Sequence, residues 1–177
     1  AWGNAFAFNG SVSGDLGSAT IYILAGASVD PTQTLTVPAG TIIKASPGQG
    51  LGVSGTLDVN GAPGNEVVFT SIKDDTYGGD SNADTNATVP APGNWDMLYL
   101  NGGNTTSHIF NTILRYGGVT GNSNLDIYNN NTPVDSSFSS YSSSDGIVTN
   151  NSSPTITATE VHHNNSYGFA IWNSGSP

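Results

Sequence analysis

Between Lys73 and Trp95 the chain carries Asp74, Asp75, Asp80, Asn82 and Asp84, five carboxylate or amide side chains within eleven residues. A hard divalent cation takes six to eight oxygens with carboxylates among them, so Ca²⁺ is the cofactor this segment predicts. The Asp80-x-Asn82-x-Asp84 spacing lets alternate side chains point at one centre. An EF-hand loop would need glycine where Thr85 stands and glutamate where Ala91 stands, so that motif is absent. Without a metal the stretch reads as a solvated Asp/Asn/Gly loop ending in Pro90-Ala91-Pro92-Gly93. With one, the ion would rigidify a long excursion whose like charges otherwise repel.

A second chemistry is glycosidic. Asp58, Tyr99 and Asp126 each follow the leading leucine of a Leu-x-apolar triplet, and if the triplets stack they share one outward position on successive coils. Strand spacing would then set Asp58 and Asp126 about 9–10 Å apart, near the upper end for an inverting acid–base pair, with Tyr99 between them as a sugar platform. The competing reading is that outward acids on an acidic protein are simply solvated. A lyase needs a base beside acids that hold a cation, and Arg115 is the one such base in the central coils. His162 and His163 are adjacent, so in a strand their rings point to opposite faces and share no metal. His108 has no evident partner in the sequence. No acid, base and nucleophile converge as a set.

What positions these residues is a repeat. Leu35-Thr36-Val37, Leu57-Asp58-Val59, Leu98-Tyr99-Leu100, Leu125-Asp126-Ile127, Ile147-Val148-Thr149 and Phe169-Ala170-Ile171 share one pattern, with leading residues 22, 41, 27, 22 and 22 apart. An insertion over about 74–94 explains the 41. Asn129, Asn151 and Asn173 follow at a fixed offset, 22 apart. Asn accepts a left-handed backbone at a bend, and its amide can bond the same Asn one coil away. Alternation of period two sends one apolar pair inward per coil, and stacking buries the pairs as ladders. The fold class this predicts is all-β: a parallel β-helix with coils of about 22 residues, an N-terminal cap over residues 1–30 and the helix proper over 31–177.

Composition agrees. Only 9% of the 177 residues are charged, while Gly, Asn, Ser and Thr are abundant, which suits tight turns and stacked strands. Lys44, Lys73 and Arg115 stand against thirteen acids, for a net charge of −10, so no basic patch can form to neutralise nucleic-acid phosphates. Cysteine is absent, which excludes disulfides and thiolate metal sites. No apolar run is long enough for a transmembrane helix. The polar, weakly charged surface points to a secreted or cell-surface protein.

The segments Leu35-Thr-Val-Pro-Ala-Gly-Thr-Ile-Ile-Lys44, Leu51-Gly-Val-Ser-Gly-Thr-Leu-Asp-Val-Asn-Gly61 and Val67-Val-Phe-Thr-Ser71, with the long loop that follows, resemble right-handed parallel β-helix repeat proteins of the pectate-lyase-like superfamily. The likeness spans about residues 30–177 and implies a right-handed solenoid. It leaves activity open, because such folds host lyases, hydrolases, adhesins and inert stalks. The expected function is a non-enzymatic extracellular module: a stalk, adhesin or filament subunit. The alternative is a polysaccharide-active hydrolase or lyase around Asp58, Tyr99 and Asp126. Expected partners are neighbouring subunits, further coils beyond Pro177, or cell-surface glycans, since an exposed terminal coil invites pairing.

Overall fold

A computed structural model of the chain describes residues 5–18, 20–102 and 106–172. Its strands are β1 (Ala5–Ser11), β2 (Gly14–Asp15), β3 (Ile21–Val29), β4 (Thr34–Pro38), β5 (Ile42–Ala45), β6 (Leu51–Val53), β7 (Thr56–Asn60), β8 (Val67–Ser71), β9 (Leu98–Asn101), β10 (His108–Phe110), β11 (Thr112–Arg115), β12 (Leu125–Tyr128), β13 (Val134–Asp135), β14 (Phe138–Ser140), β15 (Ile147–Asn150), β16 (Ile156–Thr157), β17 (Glu160–His162) and β18 (Phe169–Trp172). A 3₁₀ turn, Val119–Gly121, precedes β12.

All pairings between these strands are parallel, and from β4 onward partners differ by three in strand number along each stack. The chain therefore visits three walls in turn. The first is a six-stranded sheet, β16-β13-β10-β7-β4-β2. The second stacks β5, β8, β11, β14 and β17, and the third stacks β6, β9, β12, β15 and β18. Strand β3 joins the last two into one nearly closed curl: Ile21–Leu24 pairs with Ile42–Ala45, while Ala27–Val29 pairs with Leu51–Val53. The bend falls at Gly26, whose φ of +81° suits glycine, and a Cβ there would stand 2.7 Å from the Gln49 side chain. Strands β1, β2 and β3 thus belong to the same parallel sheets, with β1 lying on β3.

Alternation decides which side chains enter the core. Leu35, Val37, Leu57, Val59 and Ile109 come from the first wall, Ile43, Phe69 and Leu114 from the second, and Leu51, Leu98, Leu100, Leu125, Ile127 and Ile147 from the third. All belong to one buried cluster. Corners are made by left-handed residues with φ between 44° and 68°: Asn111, Ser136 and Ala158 after the first wall, Tyr116, Tyr141 and His163 after the second, Asn129 and Asn151 after the third. The amide of Asn151 donates to Asn129 Oδ1 at 2.5 Å, the ladder that the sequence predicts. Asn173, the next expected member, lies outside the described residues.

One part of the sequence register is corrected. Leu98, Leu125, Ile147 and Phe169 stack on the third wall, but Leu35 and Leu57 belong to the first. The residue stacked on Leu98 from the preceding coil is Leu51. All walls present the same inward apolar pair, so a triplet alone does not reveal which wall it occupies.

The insertion leaves the second wall after β8 and returns to the third at β9. Its ends are fastened to the coils on either side. Gly93 N donates to Gly117 O at 2.9 Å and Asn94 N to Tyr116 O at 2.9 Å. Trp95 is fully buried, and its indole Nε1 donates to the Arg115 carbonyl at 2.7 Å. Lys44, also fully buried, reaches from β5 to donate to the Gly79 carbonyl.

Candidate functional site

Of the five predicted metal ligands, Asp75, Asp80 and Asp84 each bring one carboxylate oxygen within 4.8 Å of the other two. Asn82 is tied to them, its amide donating to Asp84 Oδ2 at 2.8 Å. Asn82 Oδ1 and Asp75 Oδ1 are buried without a hydrogen-bond partner among the described residues. Asp74 stands apart as an anchor. It is completely buried, accepts from Thr70 Oγ1 at 2.6 Å and lies 3.5 Å from Arg115 Nε.

The acids also hold their own loop. Asp80 accepts from Asp84 N at 3.1 Å and Thr85 N at 2.9 Å, where Ala83, Thr85 and Asn86 take positive φ. The Thr88 hydroxyl, with the backbone N–H groups of Ala87 and Thr88 and the Asn82 amide, holds the Asp84 carboxyl below its ordinary value. Burial pushes the Lys44 ammonium down from its ordinary value, opposed by the charges of Asp75, Asp74 and Asp80. This cluster is thus built from carboxylates, one buried cation and two oxygens with no donor.

The proposed row of Asp58, Tyr99 and Asp126 does not form. Asp58 lies on β7 of the first wall, beside His108 of β10. His108 Nδ1 is 2.6 Å from Asp58 Oδ1, Asn60 Nδ2 donates to Asp58 Oδ2 at 3.0 Å, and His108 Nε2 is 3.0 Å from Asn60 Oδ1. The partner that sequence could not assign to His108 is the residue stacked directly on it. Tyr99 and Asp126 are register neighbours on the third wall, as expected.

Asp126 instead shares a cleft with Asp145, Asn122, Asn150 and Trp172. Its Oδ1 is buried without a hydrogen-bond partner among the described residues. Asp145 is buried and accepts from Tyr167 N at 2.9 Å. Sequence reasoning passed over Asp145 and the outward column Tyr128, Asn150 and Trp172, although that column recurs in register in the third wall. Burial raises the Asp126 carboxyl from 3.8 to about 6. A raised carboxyl binds its proton in the folded state before the unfolded one, so stability falls as pH climbs from about 4 to about 6 and is level above. Asp126→Asn is therefore expected to stabilise the fold by about 1–2 kcal/mol at pH 8, allowing for the side chain's partial solvent exposure. The gain should vanish at pH 4, and urea melts at the two values check it.

His162 and His163 do not diverge. Their Nδ1 atoms are 2.5 Å apart and their rings are T-shaped at 4.7 Å, because His163 is a left-handed corner rather than a strand residue. Glu160 Oε1 lies 3.7 Å from His162 Nε2. Among the described residues no helix is long and apolar enough to cross a membrane. No family model, curated protein or solved structure matches the chain.

Proposed function

We propose that this chain is a non-enzymatic extracellular module, a stalk, adhesin or filament subunit, in which Ca²⁺ pins the insertion to the solenoid. In this reading it is a right-handed β-helix of the pectate-lyase-like type with coils of about 22 residues, its first 30 residues act as a cap, and it is secreted or displayed on a cell surface. The observation that carries the calcium role is the convergence of Asp75, Asp80 and Asp84 within 4.8 Å beside two buried oxygens that lack donors. A hard cation there would satisfy both oxygens and relieve the repulsion of the acids. Its neighbour would be another subunit, since Phe169 and Ile171 of the last described strand are 45% and 52% exposed although they stack on inward positions.

Calcium titration of chelator-treated protein tests the reading. At a concentration about a hundred times Kd, unfolding free energy should rise by about 2.7 kcal/mol. Asp80→Asn should remove most of that rise. Equal stability with and without Ca²⁺ would refute the metal role.

A second reading, a polysaccharide hydrolase, is favoured by one observation: Asp126, raised to about 6, shares its cleft with Asp145. Asp126 would protonate the departing glycosidic oxygen, and Asp145 would be the second carboxyl group of the pair. Turnover of a neutral polysaccharide that disappears in Asp126→Asn would establish this reading over the first.

A further inference from the structure

The outer surface of the second wall is covered by the insertion over its first coils and open beyond them. The open part is a groove of about 350 Å³. Ile113 and Phe138 face it as register partners, as do Arg115, Ser140 and His162 in one row, with Tyr77 of the insertion and Tyr141 of the corner alongside. Phe138 is 38% exposed, a large apolar ring left uncovered on an outer face.

The corner beside the groove is unusual. Tyr116 and Tyr141 stack at 5.3 Å, and Tyr141 and His163 at 5.4 Å, forming a continuous aromatic column along the solenoid. These residues have positive φ, a conformation that disfavours bulky side chains. The corners of the other two walls make the same turn with Asn, Ser or Ala, so the fold itself does not require rings here. The column is a rigid wall whose rings lose little entropy when a ligand is held.

Charge chooses the ligand. The guanidinium of Arg115 donates to the Tyr116 hydroxyl, faces Asp74 and lies 4.5 Å from the Tyr116 centroid, 5.5 Å from that of Tyr77 and 5.6 Å from that of Tyr141. Glu160 stands beside His162. Arg115 and His162 thus each have an acid next to them, and the groove offers an apolar ring, hydroxyl-bearing edges and little net charge. A pyranose has the matching chemistry, with a C–H face for Phe138 and equatorial hydroxyls for Ser140, the tyrosines and His162. We propose that this groove binds a neutral oligosaccharide. The site goes beyond the calcium role and does not depend on the metal.

Isothermal titration of the whole chain with neutral gluco-, manno- and galacto-oligosaccharides, and with oligogalacturonate as the acidic comparison, tests the assignment. Saturable binding of at least one neutral probe is expected, with Kd between about 10 μM and 1 mM and the same value in chelator. Phe138→Ser and Tyr141→Ala should each weaken it about tenfold or more. Tyr167→Ser, an exposed aromatic outside the groove, should leave it unchanged. Melting temperatures within about 2 °C of the parent ensure that the loss is local. The proposal is overturned if no neutral probe binds at about 10 mM, if oligogalacturonate binds more tightly, or if folded Phe138→Ser retains full affinity. Failure of calcium to stabilise the chain would leave this result untouched.

Discussion

Trp95→Ala is expected to lower the stability of the chain by about 3–5 kcal/mol, the cost of emptying a fully buried indole site. Among the described residues Trp95 is the largest of the fully buried side chains, and it closes the core where the insertion rejoins the solenoid. Its ring is also polar at one point, donating Nε1–H to the Arg115 carbonyl at 2.7 Å. The substitution leaves that carbonyl without this donor and opens a cavity in the same cluster as Leu98 and Leu114. Both effects act on the return end of the insertion, so the loop should loosen before the coils melt. A urea midpoint measures the global loss, and limited proteolysis within residues 74–94 measures the local one. An unchanged cleavage rate would show that the loop is held independently of the indole.

Lys44→Met should cost about 2–4 kcal/mol in calcium-free buffer, and less when Ca²⁺ is present. Lys44 is completely buried and its ammonium serves the Gly79 carbonyl. It is also the interior positive charge that balances Asp75, Asp74 and Asp80. Methionine fills similar space, so packing changes little, while the carbonyl loses its donor and the acids lose their counter-charge. The more negative site should draw the cation more strongly, so calcium should recover part of the loss. Chemical denaturation in chelator and in Ca²⁺ separates these contributions. An identical loss in both buffers would place any bound calcium elsewhere.

The stacking principle was legible in the sequence because a core of parallel rungs repeats apolar pairs at equal intervals. Leu125, Ile147 and Phe169 share one stack, and Asn151 bonds Asn129 as its repeat implies. What sequence could not supply was the wall on which each rung sits. The interval of 41 between Leu57 and Leu98 has a simple explanation as one coil plus an insertion, yet the two residues face the core from different walls. That reading pairs Asp58 with Asp126, which stand on different walls. Corners hide in the same way. A strand alternates, so adjacent histidines should part, but His163 is a left-handed corner and its ring swings back onto His162. Asp145 escapes a reading of the sequence because its significance comes from a cleft assembled by three successive turns of chain, with no motif around it.

The insertion also has a mechanical meaning. A pull along the solenoid axis loads the rungs in the direction of their hydrogen bonds, the geometry in which strands unzip one after another. Lys44 on β5, Thr70 on β8 and Arg115 on β11 are three successive rungs of one wall, and the insertion grips each of them, through Gly79 and Asp74. It is a splint across that seam. Tension would therefore begin to peel the coils on the far side of Arg115, leaving the splinted rungs to yield last.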